Sequence, residues 1–370
     1  MRVAVDMHFL QDKHQGIKTF LVGLYGSLVK MQSKHEFVYI FPREDDTSEY
    51  WRKHGDVIIT GEMSRGARLS YGMANAIRRS GKVDVSHFNA VAPFGVPGKL
   101  LLSVHDILYK THPKYFSSSF RIAQNIAMAW NVRRANSFAV GSAYTLSVLQ
   151  KLYPSTSQRL HLLRNGVDLR FYSRIDGERA ARAVKIKYGL DKYILSVGRV
   201  DPRKNYLNML QAYLAVRQSV SECEAVRFVI VGEIDNSYYE VSRFLEKLRA
   251  DGNVIWLRNV DENSLRELYA ASLFVAFASH AEGFGLPIIE AMAAGVPVIA
   301  GNNTAMPEVL EDCGILVQSN DVNRIADAYA SLLSDAGLRN RLGGSGRARA
   351  MSFGWDSSAI RYLEILEDLK

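Results

Sequence analysis

The sequence predicts an α/β protein made of two Rossmann-like, doubly wound domains in tandem. Short apolar runs typical of buried strands alternate with segments of helical periodicity along the whole chain. The chain has 370 residues, which is more than one compact core usually holds. We therefore expect two domains joined near residues 168–190, with a ligand cleft between them.

The composition is that of an ordinary globular protein, with 48% hydrophobic and 23% charged residues. Only two cysteines, Cys223 and Cys313, are present, which favours a reducing cytosol over a disulfide framework. The N-terminus reads as a strand rather than a signal peptide, and no apolar run reaches the roughly 20 residues of a membrane span. We expect a cytoplasmic protein that can attach peripherally to the inner face of the membrane.

The two halves of the chain differ in charge. Residues 1–175 contain 24 Lys and Arg against 12 Asp and Glu, a net +12, while the remainder contains 22 against 26, a net −4. A basic half suggests an anionic partner such as a phospholipid surface or a lipid pyrophosphate, although Lys and Arg can also simply keep a surface soluble. Nucleic acid is not expected, because the sequence lacks zinc-finger spacing, RNP-like aromatic motifs and long basic helices.

The first domain is predicted to span residues 1–170. Its strands are predicted at residues 2–6, 37–41, 57–60, 83–88, 99–104, 137–141 and 159–163, and its helices at 20–31, 70–79, 121–135 and 143–152. Residues 109–120 are predicted to be a loop. Gly16, just before the first helix, could bring backbone amides to a phosphate, but a single glycine is equally consistent with an ordinary turn.

His105 and Asp106 stand directly after the predicted strand at residues 99–104. In open α/β sheets, ligands bind at the carboxyl ends of the strands. The pair could therefore hold a ligand by hydrogen bonds or work as acid and base. A histidine that merely closes a strand is the alternative.

The second domain is predicted at residues 171–354. Its strands are predicted at residues 193–197, 228–232, 254–257, 272–279, 296–300 and 315–317, and its helices at 207–220, 238–249, 264–270, 322–334 and 336–350, with a short one opened by Pro287. Residues 355–370 form an amphipathic segment that we expect to cross back and pack on the first domain. Its predicted apolar face consists of Trp355, Ile360, Leu363 and Leu366.

Two stretches of the second domain carry the candidate chemistry. The first, GRVDPRKN, follows the strand at 193–197 and brings Arg199, Arg203 and Lys204 together ahead of a helix. Cations in this position make a candidate pyrophosphate clamp, with a solvated basic turn as the alternative.

The second stretch, HAEGFGLPIIEAMAAGVPVIAG, covers residues 280–301. It places Glu282 in a loop and Glu290 in the second turn of a short helix, with a Gly-x-Gly-x-Pro turn between them. Glycines let backbone N–H groups approach a ligand, and a helix N-terminus attracts anions. Carboxylates beside such groups suit a nucleotide sugar, although on their own the two glutamates could be an acid–base pair or part of an ordinary turn.

The strand-end VHD, GRVDPRKN and EGFGLPIIE occur in the order and spacing of the retaining glycosyltransferases of family 4. The chain resembles this family over nearly its whole length. The resemblance implies the GT-B fold of two Rossmann-like domains, and the transfer of a sugar from a nucleotide diphosphate to a hydroxyl with retention of configuration. One departure is the single glycine of HQGIKTF, where many members have two; Lys18 could substitute for the missing contact.

The resemblance also implies a role for each motif residue. Arg199 and Lys204 would hold the diphosphate, and Glu282 would contact hydroxyls of the donor sugar. His105 would lie against the sugar ring, with Asp106 beside it near the acceptor. The other donor-binding residues that the match implies are Gly16 and Gly198 near the diphosphate, Phe284, Gly285 and Leu286 near the sugar, Glu290 at the ribose, and Gly232, Glu233, Asn259 and Val260 at the base.

No cofactor or metal is expected, because the two cations would replace a metal and no DxD motif follows a strand. A GDP-sugar carrying mannose or a related 6-deoxyhexose is the favoured donor, with glucosyl or galactosyl transfer from a UDP-sugar as an alternative. The expected acceptor is a polyprenyl-diphosphate-linked or other glycan of O-antigen or exopolysaccharide synthesis. A GT-B-fold epimerase or hydrolase stays open, whereas the missing Gly-x-Gly-x-x-Gly motif disfavours an NAD-dependent oxidoreductase.

Overall fold

The computed structural model describes all of the chain except residues 12–14, 170–171, 173–175, 221–223 and 235–238. Three details of the sequence predictions therefore lie outside the described residues: Cys223, the predicted helix start at residue 238, and the predicted boundary between residues 170 and 171. The chain divides into two compact units. One consists of Met1–Gly166 with Trp355–Lys370, and the other is Val167–Gly354.

In the first unit, seven described strands form one parallel sheet in the order β3-β2-β1-β4-β5-β6-β7. They are β1 (Arg2–Asp6), β2 (Glu36–Phe41), β3 (Asp56–Ile59), β4 (Val85–Asn89), β5 (Lys99–Val104), β6 (Ser137–Val140) and β7 (Leu160–Leu162). Most of their residues are buried, as expected for parallel strands covered by helices on both faces. The strand order reverses between β1 and β4, and a reversal of this kind opens a crevice at the carboxyl edge of the sheet.

The helices of this unit pack on the sheet through two apolar clusters. They span Gln15–Lys30, Asp46–Arg52, Arg65–Ala67, Met73–Arg79, Leu108–Thr111, Ser118–Arg134 and Ala143–Leu152, with a π turn at Arg68–Gly72 and 3₁₀ turns at His8–Gln11, Pro113–Tyr115 and Pro154–Arg159. The loop prediction for residues 109–120 was wrong, because Pro113 opens one helical turn and Ser117 caps the next helix. Gly16 lies in the first turn of its helix rather than before it, since that helix begins at Gln15.

The C-terminal helix, Trp355–Asp368, belongs to the first unit, as the sequence predicts. Its Trp355 ring lies edge-on to Phe20 of the first helix, with 6.2 Å between the ring centroids. The buried face consists of Trp355, Ser358, Ala359, Tyr362, Ile365 and Leu366. The predicted face was wrong at Ile360, which is 54% exposed because one residue turns the side chain roughly 100° away from Ala359.

In the second unit, six described strands form a parallel sheet in the order β10-β9-β8-β11-β12-β13. They are β8 (Lys192–Val197), β9 (Val226–Val231), β10 (Val254–Leu257), β11 (Phe274–Phe277), β12 (Val298–Gly301) and β13 (Ile315–Val317). The order reverses between β8 and β11, so the loops after these two strands flank the reversal. The predicted α/β class with two doubly wound parallel sheets is confirmed.

The helices of the second unit cover both faces of its sheet. They span Gly177–Tyr188, Tyr206–Ser219, Tyr239–Ala250, Glu262–Ala271, Leu286–Ala294, Met306–Leu310, Val322–Ser334 and Ala336–Ala350, with 3₁₀ turns at Pro202–Lys204 and Met351–Phe353. Of the helices that the structure describes, none is both long and apolar enough to cross a membrane.

Candidate active site

A buried ion cluster joins the loops after β8 and β11. Lys204 Nζ lies 2.7 Å from Glu282 Oε1, and Arg203 Nη1 lies 2.9 Å from Glu282 Oε2. The Glu282 side chain is only 8% exposed, so both pairs are shielded from solvent. The fold thus brings a predicted diphosphate cation and the predicted sugar-binding carboxylate together where the strand order of the second sheet reverses.

The charges in this cluster follow from burial and pairing. Burial alone would raise the pKa of Glu282, but the charges of Arg203 and Lys204 outweigh it and lower that pKa to about 2. Burial lowers the pKa of Lys204, and the attraction of Glu282 opposes this change. Arg203 Nη2 also lies 3.7 Å from Asp201 Oδ2, so two cations face two carboxylates in this cluster. Lys and Arg side chains gathered in this way suit the oxygens of a diphosphate.

Arg203 belongs to this cluster. The sequence placed it in the candidate pyrophosphate clamp but did not predict its contact with Glu282. Besides Glu282, its Nη1 donates to the carbonyl of Ala281 at 2.7 Å, and its own carbonyl accepts from the His280 N–H at 2.8 Å. Arg203 therefore ties the turn after β11 to the loop after β8. Its position beside Lys204 was visible in the sequence, but which cations reach Glu282 depends on the path of the loop.

Asn205 fixes the shape of that loop. Its backbone is left-handed, with φ of 62°, a conformation that Asn adopts more readily than most residues. Its buried Nδ2 donates to the carbonyls of Ala278 and Ser319 at 2.8 and 2.6 Å. These bonds satisfy two carbonyl groups and hold the neighbouring Lys204 next to the end of β11.

Gly198 and Gly232 follow β8 and β9 and lie side by side. A Cβ on Gly232 would come within 2.2 Å of the Gly198 carbonyl oxygen, so only glycine fits there. Glu233 is exposed directly after it, and Asn259 and Val260 follow β10, one strand further along the sheet. The residues predicted at the base therefore share one edge of the second sheet with the ion cluster.

The helix Leu286–Ala294 starts beside the turn after β11. Its N-cap, Gly285, has a φ of 104°, and the Phe284 side chain is buried, so the predicted amide donors stand at a helix N-terminus. Further along, Glu290 accepts a hydrogen bond from the Tyr269 hydroxyl at 2.7 Å. Burial raises the pKa of Glu290, and this hydrogen bond opposes the rise.

In the first unit, His105 follows β5, and its Nε2 lies 2.9 Å from Asn89 Oδ1 at the end of β4. The ring of Phe20 packs edge-on against the imidazole, 4.9 Å between centroids. Burial lowers the pKa of His105 to about 4, so the ring is neutral at pH 7 and suits hydrogen bonding more than proton donation. Asp106 is exposed and accepts from the Leu108 N–H.

Two further predicted residues, Arg199 and Gly16, are exposed in the second and first units respectively. The roles given to the individual site residues stay predictions. Within the part of the chain that the structure describes, no group of three or more His, Cys, Asp or Glu could hold a metal ion.

Two family models match the chain in succession. The model described as Glycosyltransferase Family 4 matches residues 15–171, and the model described as Glycosyl transferases group 1 matches residues 178–349. The chain belongs to glycosyltransferase family 4. The predicted family and the predicted enzyme class are therefore confirmed.

This glycosyltransferase has relatives with different substrates in their names. It is 28% identical over 272 residues to the O-antigen chain mannosyltransferase B of Escherichia coli, covering 71% of this chain and 70% of that protein. It is 32% identical over 227 residues to the D-inositol 3-phosphate glycosyltransferase of Xylanimonas cellulosilytica, covering 59% of this chain and 53% of that protein. The matched region thus spans about half the length of the latter relative.

Solved structures share its fold over the full length. Sucrose-phosphate synthase from Thermosynechococcus elongatus has a TM-score of 0.79 at 20% identity, covering 100% of this chain and 99% of that one. Anabaena Alr3699/HepE in complex with UDP-glucose has a TM-score of 0.80 at 18% identity, covering 100% of both chains. At these identities the likeness establishes the GT-B fold alone.

Proposed function

We propose that the enzyme moves a hexose from a nucleotide diphosphate sugar to a hydroxyl of a glycan acceptor, with retention of the anomeric configuration. The observation that carries this proposal is the buried cluster of Lys204, Arg203 and Glu282. Its cations suit a diphosphate, and its carboxylate suits sugar hydroxyls. The mannosyltransferase relative supports mannose or a related 6-deoxyhexose as the sugar, and GDP is our preferred nucleotide.

Glu282 can bind the sugar while it remains paired. Each carboxylate oxygen has more than one acceptor position, so the bonds to Lys204 and Arg203 leave room for bonds from sugar hydroxyls. Because the two cations already fix the carboxylate, little ordering is needed when the donor binds. Glu290, held by Tyr269, would accept from the ribose in the same way.

The proposed chemistry takes place on one face of the sugar. The bond from the anomeric carbon to the diphosphate oxygen breaks, the acceptor oxygen bonds to that carbon, and the leaving phosphate oxygen takes the acceptor proton. Lys204 and Arg199 stabilise the negative charge that grows on the diphosphate, without a metal. Glu282 is a weak nucleophile while two cations hold it, which favours this route over a covalent glycosyl-enzyme intermediate.

We further propose a polyprenyl-diphosphate-linked or other glycan of O-antigen or exopolysaccharide assembly as the acceptor. The reaction would take place at the cytoplasmic face of the membrane. Two observations support this: the net +12 charge of residues 1–175 and the O-antigen relative.

A thermal-shift screen against GDP-, UDP-, ADP- and dTDP-sugars tests the donor. A ligand at a hundred times its Kd stabilises a protein by about 2.7 kcal/mol, so the preferred donor gives the largest rise in Tm. We expect that rise with GDP-mannose. A larger rise in Tm with a UDP-sugar would favour glucosyl or galactosyl transfer from that donor instead. No rise in Tm with any of the donors would refute the nucleotide-sugar site.

Analysis of the reaction products distinguishes a glycosyltransferase from a hydrolase or an epimerase. Incubation of the donor with and without a polyprenyl-linked glycan should release nucleotide diphosphate at a high rate only with the acceptor. Free hexose or an epimerised nucleotide sugar, formed at the same rate without any acceptor, would indicate a hydrolase or an epimerase instead.

A further inference from the structure

The helix Ser118–Arg134 of the first unit turns apolar side chains outward. Ile122, Ile126 and Trp130 recur every four residues along one face and are 61%, 67% and 36% exposed. The opposite side includes a fully buried polar residue, Asn131. That side also buries the apolar Met128 against the core. An ordinary surface helix exposes a polar face, whereas this helix exposes apolar side chains on its outer face as well.

The exposed apolar face continues onto a neighbouring loop. Phe94 is 41% exposed and lies against Trp130, with 4.4 Å between the ring centroids. The guanidinium group of Arg134 lies over both rings, at 5.9 and 5.2 Å from their centroids. Aromatic rings beside Arg and aliphatic side chains are typical of helices that lie at a membrane–water interface. We call Phe94, Ile122, Ile126 and Trp130 the outer stripe.

The chain around the outer stripe is strongly basic. The 61 residues from 107 to 167, between Asp106 and Asp168, contain no Asp or Glu. Their eight cationic residues are Lys110, Lys114, Arg121, Arg133, Arg134, Lys151, Arg159 and Arg164. This segment therefore complements a negatively charged surface.

We propose that the outer stripe docks the enzyme on an anionic phospholipid surface, with its apolar side chains inserted at the level of the headgroups. Apolar contact and positive charge on one helix are the combination that binds such a surface. A second copy of the chain would match the apolar face but not the charge, because two such segments would repel each other. The proposal extends that of a lipid-linked acceptor, and it does not depend on the identity of the donor.

Vesicle co-sedimentation of the full chain, without nucleotide sugar, tests the proposal. We expect binding to vesicles of equal parts phosphatidylcholine and phosphatidylglycerol, little binding to phosphatidylcholine alone, and weakening with added salt. The double variant Ile122→Ser, Ile126→Ser should bind at least about tenfold more weakly, because it loses the inserted side chains. The matched control, Ile186→Ser with Ile360→Ser, alters two other exposed isoleucines and should bind like the wild type.

Three outcomes would overturn the proposal. They are unchanged vesicle binding of the double variant, equal binding to both kinds of vesicle, and a lipid-free oligomer that only the double variant disrupts. Brominated phospholipids should also quench a part of the Trp fluorescence that Trp130→Phe removes. A Tm rise with GDP-mannose that persists in the double variant shows that the donor site is intact, so failure of docking and failure of the donor proposal are distinguishable.

Discussion

At the scale of single residues, the candidate site depends on which charges face each other inside the second unit. Glu282 stays ionised because Arg203 and Lys204 outweigh the effect of burial on its pKa. Removing one charged partner from a buried ion pair leaves the remaining charge buried without compensation. The resulting loss of stability is larger than the loss at an exposed ion pair.

Lys204→Ala should lower turnover by roughly a hundredfold, because a lost charge contact of about 3 kcal/mol in the transition state has that effect. Steady-state kinetics with the preferred donor measures it, and Tm shows whether the variant is folded. Lys185→Ala is the control, since Lys185 forms an exposed ion pair with Asp191 and should leave turnover unchanged. Near wild-type turnover in a folded Lys204→Ala variant would remove Lys204 from the catalytic set.

Tyr269→Phe should raise the donor KM by about tenfold with little effect on kcat. The substitution removes the hydrogen bond that opposes the raised pKa of Glu290, so Glu290 becomes easier to protonate and less well oriented for the ribose. Tyr329→Phe is the control, because the buried Tyr329 hydroxyl has no hydrogen-bond partner among the described residues. Equal KM values in the two variants would contradict a ribose-binding role for Glu290.

At the scale of elements, local sequence signals account for most helices and strands, including one helix that the sequence analysis missed. The helix Gly177–Tyr188 was not predicted, although Asp176 caps its start and Gly189 ends it in a left-handed conformation. The contact between the first helix and the C-terminal helix is different, because no local rule identifies the residue against which Trp355 packs.

Gly23 is the contact residue for Trp355, and Gly23→Ala should destabilise the protein by about 2 kcal/mol. An added Cβ would come within 2.0 Å of the Trp355 ring, so the C-terminal helix must shift. In Gly26→Ala, on the same helix, the added Cβ meets nothing within 4 Å and should stabilise by about 0.5–1 kcal/mol. Thermal unfolding of both variants measures the difference, and equal stabilisation of the two would show that helix propensity rather than contact with Trp355 decides the effect.

At the scale of the whole molecule, a buried polar network ties distant parts of the chain together. His87 in β4 lies 2.5 Å from the Tyr25 hydroxyl and 2.7 Å from the Ser103 hydroxyl, and Tyr25 in turn meets Tyr362 of the C-terminal helix. Burial, together with the nearby His105, lowers the pKa of His87 to about 3. The stability of the first unit therefore requires a neutral imidazole in its core.

The free energy of unfolding should fall as the pH drops from about 6.5 to 5. Unfolded histidines take up protons below about 6.5, whereas the folded protein keeps His87 and His105 neutral until near pH 3 and 4, so acid favours the unfolded chain. Each such histidine contributes up to about 1.4 kcal/mol per pH unit. Denaturant unfolding at several pH values in this range measures how steeply the free energy of unfolding depends on pH. This dependence should be weaker in His87→Gln than in the wild type, and equal dependence in the two proteins would contradict the prediction.

The α/β class, the two parallel sheets and the family were all predictable from the sequence. The alternation of strand-like and helical segments and the order of the motifs can be read directly along the chain. The sequence also identified Lys204, Glu282, Glu290 and His105 as candidates, since residues after strands reach the carboxyl edge of a parallel sheet.

The pairing of those side chains was not predictable from the sequence and depends on the folded structure. Arg203 forms an ion pair with Glu282, Tyr269 donates a hydrogen bond to Glu290, and Trp355 packs against Gly23. In each case the two residues are far apart in the sequence. Tertiary structure likewise decided that the isoleucines of Ser118–Arg134 face outward while Ile360, predicted inward, is exposed. Periodicity in the sequence determines which residues share one face of a helix or strand. Which face is covered, and which charged side chains meet, depends instead on how the elements pack against one another.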